Sequence, residues 1–288
     1  MTKELFSGVA TAIITPFKND RIDYCAFERL IERQILSGID AIVFCGTTGE
    51  ATTLSEDEKI TLYEFAVRTV KRRVPVICGT GSNSHSVTMR MSEKAVAAGA
   101  DGLLCVSPYY NKGTDTGIEQ CYREVCSLGI PVILYNIPSR ACVDINRDIL
   151  HNLSDEENLC GIKECAGIGR ISDHKEFFGD RYSLYSGNDA ELLPSLSVGA
   201  DGVISVLSNI FPDRVKRIYT SYINHNNTDA LKEHLALSGL TKLLFTETNP
   251  APVKYGLSLL GLCENTLRLP MTAISDELSK KIENELKN

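Results

Sequence analysis

The sequence predicts an α/β fold, a (β/α)8 TIM barrel with an appended C-terminal helical region. Three observations predict it. Eight short, nearly continuous apolar stretches alternate with helix-like stretches over about 210 residues, as parallel strands covered by helices do. Three junctions echo one another: Ser37-Gly38-Ile39-Asp40, Ala98-Gly99-Ala100-Asp101 and Val198-Gly199-Ala200-Asp201 each close a helix with glycine and open a strand with aspartate. Glycine suits the left-handed position past a helix end. From about Asp213 onward only helical patterns remain. An open doubly wound sheet would call for a glycine-rich phosphate loop after its first strand, and the chain has none there.

The first strand is expected from Gly8 to Thr15, stopped by Pro16, and Asp23 caps a helix running to about Ser37. A buried strand, Gly38 to Cys45, leads into Gly46-Thr47-Thr48-Gly49-Glu50. Ser55 and Glu58 form a capping box for a helix to about Val70. Strands Val74–Gly79 and Asp101–Val106 flank a helix over about Ser84 to Ala98. After the loop Ser107–Lys112, a helix over about Thr116 to Ser127 precedes the strand Ile130–Tyr135 and the loop Asn136–Arg140. A helix near Asn146 to Leu153 leads to the strand Leu159–Cys165, and another over about Gly169 to Phe178 leads to Tyr182–Gly187. A helix from Ala190 to Val198 and the strand Asp201–Val206 complete the barrel. Helical breaks at Asn226-Asn227 and Asn249-Pro250 divide residues 1–225, the barrel, from residues 226–288, the tail.

Composition narrows the function. The 288 residues are 43% hydrophobic and 23% charged, with net charge −7 and no basic run. Nucleic acid and anionic membranes are therefore poor partners. No apolar run approaches the roughly 18 residues that span a bilayer. The N-terminus carries no signal-like apolar segment, so a cytoplasmic location is expected. Ten cysteines occur without any C-x-x-C, and Cys45, Cys78, Cys105 and Cys165 fall in or at the ends of strands. They read as reduced, buried packing groups. The five histidines show no ligand spacing, so no metal is expected.

Lys163 is the only lysine in any of the eight strand candidates. An amine buried there loses its proton more readily, and a neutral amine forms a Schiff base with a carbonyl. The plain alternative is a strand-end lysine that reaches water or pairs with Glu164. In a TIM barrel the active site gathers at the C-terminal strand ends. That rule selects Thr47 and Thr48, Tyr109 and Tyr110, Tyr135, Arg140, Lys163, Gly187, and Ile204-Ser205. The turn Gly46–Gly49 offers N–H groups and two hydroxyls to a small carboxylate, or is an ordinary capped turn. Tyr135 shuttles protons or closes the barrel mouth. Arg140 forks a second carboxylate or is a solvated surface arginine. Tyr109 and Tyr110 cover the site or reach a partner subunit.

Taken together, G-T-T-G-E at 46–50, P-Y-Y-N-K at 108–112, Y-N-I-P-S-R at 135–140, G-I-K-E at 161–164 and N-P at 249–250 resemble the dihydrodipicolinate synthase branch of the pyruvate-dependent class I aldolases. The resemblance covers essentially the whole chain. It implies that Lys163 forms a Schiff base with pyruvate and that Thr47 and Thr48 hold the pyruvate carboxylate. It implies that Tyr135 donates and accepts the imine proton, in a relay with Thr47 and with Tyr110 from a neighbouring subunit. Arg140 would bind the carboxylate of aspartate 4-semialdehyde, with Gly187 and the Ile204 carbonyl lining the pocket. It further implies no cofactor, a dimer-of-dimers homotetramer, and a product feeding lysine and diaminopimelate synthesis. Lysine-sensitive members of this branch bind lysine at positions matching Ala51, Thr52, Glu56, Lys59, Asn83, Val87 and Tyr109. Val87 replaces an acid and Lys59 adds a like charge, so weak or absent feedback is expected. The rival readings are a sugar-acid aldolase such as N-acetylneuraminate lyase, a metal-dependent barrel aldolase, and a non-catalytic small-acid sensor.

Overall fold

The computed structural model describes residues 4–287. Eight strands close a parallel barrel in chain order. They are β1 (Gly8–Ala12), β2 (Ala41–Phe44), β3 (Val76–Gly79), β4 (Gly102–Val106), β5 (Val132–Asn136), β6 (Leu159–Glu164), β7 (Ser183–Ser186) and β8 (Gly202–Ser205). β1 pairs with both β8 and β2 and so shuts the ring. A closed sheet has two faces, and the apolar residues divide between them. Ala10, Val43, Ile77, Leu104, Ile133, Tyr135 and Ile204 pack inside the barrel. Val9, Ile42, Cys78, Leu103, Leu134, Ile162 and Leu184 pack outward against the helices. This two-sided burial is why the strands read as continuous apolar runs.

The repeated Gly…Asp junctions have a physical cause. Gly38, Gly99 and Gly199 turn the chain at φ of 78°, 91° and 97°. The aspartate that follows grips the strand before it. Asp40 Oδ2 accepts the Val9 N–H at 2.7 Å, Asp101 Oδ2 accepts Val76 N–H at 2.9 Å, and Asp201 Oδ2 accepts Leu184 N–H at 2.8 Å. Each carboxylate satisfies the backbone donor that the neighbouring strand leaves at the barrel's base.

Local signals set the helix starts. Asp23 Oδ1 accepts Ala26 N–H at 3.0 Å at the head of the helix Tyr24–Leu36. The Ser55–Glu58 capping box forms in both directions and opens the helix Glu56–Val70. Elsewhere the fold departs from expectation. β1 stops at Ala12, not Thr15, because the Asn209 side chain takes the Ile14 N–H at 3.1 Å and draws the chain off the ladder. The loop after β5 is a one-turn helix, Pro138–Ala141, with proline at its start and Arg140 within it. The helix expected at Ala190 begins as a 3-10 turn, Asp189–Glu191, before Leu192–Ser197. A hairpin, Phe17–Lys18 with Arg21–Ile22, was not foreseen. Its turn places Asn19 and Asp20 at φ of 51° and 58°, the left-handed pair that two-residue hairpins favour. Lys18 is thus a second strand lysine, but outside the barrel.

The cysteines divide as well. Cys45, Cys78, Cys105, Cys126 and Cys160 are buried, whereas Cys25 and Cys142 are exposed, so packing does not account for all ten. Cys142 instead ends a helix at φ 55°. No helix among the described residues is long and apolar enough to cross a membrane.

Past the barrel's last helix, Pro212–Ile223, three helices follow: Asn227–Leu244, Ala251–Leu259 and Asp276–Lys287. The first packs along Pro212–Ile223, and the last packs on both others. The segment around residues 249–271 lies over the barrel mouth. Asn249, Pro250 and Met271 from this segment share a cavity with residues from β3 and β5.

Candidate active site

β5 and β6 are in register with Tyr135 opposite Lys163 and Asn136 opposite Glu164. Strand alternation then sends Tyr135 and Lys163 inward and Asn136 and Glu164 outward. Glu164 is fully buried on the outer side. It accepts Asn136 Nδ2 at 3.0 Å and the Ala166 N–H at 2.7 Å, with His174 Nε2 at 3.4 Å. A pairing of Lys163 with Glu164 is therefore ruled out by the pleat itself.

Lys163 is 5% exposed. Its Nζ lies 4.2 Å from the centroid of the Tyr135 ring and makes no ion pair or hydrogen bond among the described residues. Burial lowers its pKa, Cys165 and Asp189 oppose that, and the Arg140 guanidinium adds to it. The amine is thus held closer to neutrality than an ordinary lysine. Asp189 is the nearest carboxylate in electrostatic terms, but its oxygens are engaged elsewhere. They accept the Ser205 hydroxyl and the N–H groups of Val206 at 2.9 Å and Leu207 at 3.0 Å.

Tyr135 lies between the Thr47 hydroxyl and the Cys165 thiol, and both act on its phenol. Burial drives its phenol well above the ordinary tyrosine value, with Cys165 adding to the rise. Burial likewise pushes the Cys165 thiol up to about 11. The phenol therefore stays protonated near neutral pH, as a proton donor must.

Above this pair opens a cavity of about 240 Å³. Thr47, Glu50, Tyr109, Tyr135, Arg140 and Asn249 are among its walls. Lys163 lies off the wall, against the Tyr135 ring. Thr48 is 2% exposed, and its Oγ1 accepts Asn249 Nδ2 at 3.0 Å. That bond uses a lone pair and leaves the Thr48 hydroxyl hydrogen free to donate. Arg140 Nη2 donates to the Asn249 carbonyl at 3.3 Å, so this exposed side chain is held at the cavity's edge. Gly187 sits where a Cβ would fall 2.1 Å from Cys165 Sγ and 3.0 Å from Lys163 Cε, so only glycine leaves room for both side chains. The Ile204 side chain is fully buried inside the barrel, beside Ala10 in the β1–β8 register.

Tyr110 stands apart. It is 85% exposed at φ 73°, and one chain does not bring it to Tyr135. Four neighbours of the site carried no expectation of a site role: Glu50, Asp189, Asn249, and Cys165, which was expected only to pack in the interior and is instead partly buried beside Tyr135. Asn249 had a visible signal, the Asn-Pro dipeptide, and Cys165 adjoined Glu164 in the lysine strand. Asp189 had none, because its role depends on a loop from β8.

A family model described as the dihydrodipicolinate synthetase family matches residues 5–288. The chain belongs to the dihydrodipicolinate synthetase family. One relative in this family is 4-hydroxy-tetrahydrodipicolinate synthase 1 of Clostridium acetobutylicum, 41% identical over 285 residues, which cover 98% of this chain and 97% of that one. The dihydrodipicolinate synthase of Aquifex aeolicus superposes with a TM-score of 0.96 at 42% identity, over 98% of this chain and 97% of that one. The chloride-inhibited synthase of Acinetobacter baumannii complexed with pyruvate superposes with a TM-score of 0.95 at 35% identity, over 98% of each chain. Family membership and the named relatives favour the synthase reading over its rivals, the metal-dependent aldolase and the small-acid sensor.

Proposed function

We propose that the chain is a lyase that condenses pyruvate with aspartate 4-semialdehyde to give 4-hydroxy-tetrahydrodipicolinate, through a Schiff base on Lys163. The product enters lysine and diaminopimelate synthesis. The observation that carries the assignment is a buried lysine with no carboxylate in contact, stacked on a protonated phenol beneath an open cavity.

The Lys163 amine attacks the ketone carbon of pyruvate. Tyr135 gives its proton to the departing oxygen, which leaves as water, and the imine forms. The protonated imine draws electrons from the adjacent methyl, which loses a proton to become an enamine. The enamine carbon attacks the aldehyde of the second substrate. That substrate's own amine then displaces Lys163, closing the ring and freeing the enzyme. Thr47 and Thr48 hold the pyruvate carboxylate, the Thr48 hydrogen being free for it. Arg140 takes the carboxylate of the semialdehyde. Two separate anion sites keep the two small acids side by side in reacting orientation. Gly187 leaves space for the lysine arm, and the Ile204 carbonyl lines the floor.

The proton relay runs from Tyr135 through Thr47 to Tyr110 of a neighbouring subunit, so the working form is a homo-oligomer, a dimer of dimers. The exposed Tyr110 supports that reading. All ten cysteines are unpaired, which suits the reducing cytoplasm. Feedback by free lysine is weak or absent. Glu56, one of the positions concerned, is already held by Arg90 at 2.7 and 2.8 Å. Strong inhibition at micromolar lysine would overturn that part.

Borohydride reduction with and without pyruvate, followed by peptide mapping, tests the core of the assignment. A pyruvate-dependent adduct on Lys163 is expected. A folded protein without one would remove the imine mechanism.

A further inference from the structure

We infer that the buried ion pair between Lys254 and Glu50 is a positioning device through which the C-terminal helices set the geometry of the Thr47–Thr48 turn. This deepens the proposed function and rests on the assignment of that turn to the pyruvate carboxylate.

The turn is anchored residue by residue, from two directions. The barrel holds one side. Thr15 Oγ1 donates to the Gly49 carbonyl at 2.7 Å, and Glu50 N–H closes on the Thr47 carbonyl at 3.1 Å. The tail holds the other. Asn249 Nδ2 donates to Thr48 Oγ1 at 3.0 Å, Lys254 Nζ pairs with Glu50 Oε1, and the Arg268 N–H donates to Glu50 Oε2 at 3.2 Å. The two charged side chains are 0% and 2% exposed. The remaining needs of the ammonium are met by the Thr266 carbonyl at 2.9 Å and by the Phe17 ring, 4.1 Å to its centroid. Arg268 is itself locked to Glu58 at 2.7 and 2.8 Å, so this end of the tail is fixed to the barrel helix Glu56–Val70.

Adhesion alone does not explain a buried charge pair, because apolar residues of similar size hold such surfaces at least as well. What a carboxylate ion-paired at one oxygen and hydrogen-bonded at the other adds is direction. Glu50 lies at φ 55°, the left-handed region that a residue with a side chain leaves unless it is tied down. Its side chain is tied at both oxygens. Releasing it frees the backbone at the end of the turn, two residues from Thr48, and disturbs the hydroxyls rather than the reacting amine. Lys163 and Tyr135 sit on strands β6 and β5 and keep their geometry.

The test is borohydride trapping of the Lys163 adduct in the full-length enzyme across a range of pyruvate concentrations. Lys254→Met and Glu50→Gln are each expected to raise the half-saturating pyruvate by about tenfold, the loss of a charge-assisted contact, while trapping at saturating pyruvate stays within about twofold. If Lys254→Met does not fold, the double variant Lys254→Met/Glu50→Gln leaves no uncompensated charge and takes its place. A cooperative melt with the half-saturation still raised supports the inference. A cooperative melt with wild-type half-saturation, in any of the three, overturns it and makes the pair a stability element. Absence of an adduct in the wild type would be a different failure, that of the imine assignment on which this inference stands.

Discussion

Two lysines are buried among the described residues, Lys163 in the barrel and Lys254 in the tail helix Ala251–Leu259, and their surroundings differ in one respect. Lys254 touches a carboxylate as well as an aromatic ring, while Lys163 touches an aromatic ring and no carboxylate. Burial lowers the pKa of both. At Lys254 the ammonium keeps a counter-ion and a carbonyl, so its charge is useful and its nitrogen is spent. At Lys163 the charge has no such partner, so the neutral, nucleophilic form is brought within reach. A buried lysine becomes chemically available through the partner it lacks. The nearest acid, Asp189, is kept from the role by Ser205 and two backbone N–H groups.

The comparison can be broken most directly at the reacting amine. Lys163→Met is expected to abolish the pyruvate adduct and to slow turnover by at least about 10⁴-fold, as loss of a covalent nucleophile does. Its melting temperature should hold or rise, because an unpaired buried amine is removed. A large loss of stability would place Lys163 with Lys254 as a structural residue.

The converse change tests the other side. Lys254→Met leaves Glu50 buried without its cation and is expected to cost about 3–5 kcal/mol in denaturant titration. Much of that should return in the double variant with Glu50→Gln. A single variant as stable as the wild type would mean that the two buried lysines are not energetically distinct.

Tyr135→Phe keeps the ring under Lys163 and deletes the proton. Imine formation should slow by about 10²-fold in single-turnover trapping, with the fold unchanged. An unaffected rate would leave the phenol as a wall of the pocket, the reading that sequence alone left open.

The smallest effects sharpen the electrostatic account. Imine formation needs the neutral amine, so its rate climbs as pH rises through the Lys163 pKa, which burial already holds below the ordinary lysine value. The Arg140 cation lowers that pKa further and the Asp189 carboxylate raises it. Arg140→Ala should therefore move the acid limb of the trapping rate to higher pH, and Asp189→Asn to lower pH. Arg140→Ala should also weaken use of the semialdehyde by roughly 10- to 100-fold while sparing the adduct at high pH, the loss of one charged hydrogen-bonding group. Limbs that shift together would show that neither residue acts through its charge.

Much of this was legible in the chain. The barrel's eight strands are local apolar runs, and local runs can be read without knowing their neighbours. Lys163 was legible because a lysine within such a run is unusual. The turn residues Thr47 and Thr48 were legible as a type of turn but not as a held one, since Thr15, Asn249 and Lys254 come from distant parts of the chain. The tail, read as an appendage, reaches over the barrel mouth because Asn249, Lys254 and Arg268 find their partners there. Nothing in a helical pattern tells a lysine on a solvated face from one aimed at a carboxylate. The hairpin at Asn19-Asp20 was missed because two-residue strands carry no periodicity to detect.

By itself the sequence determined the order of the barrel, the glycine–aspartate junctions at its base and the amine that sits in its sixth strand. Each depends on residues close together in the chain, where backbone preference and strand alternation decide the outcome. Tertiary structure alone decided which buried lysine is neutralised and which is left to react. Whether a charge is compensated is a matter of distance through space, and the carboxylate that answers Lys254 lies at the far end of the chain, while the one beside Lys163 is already spoken for.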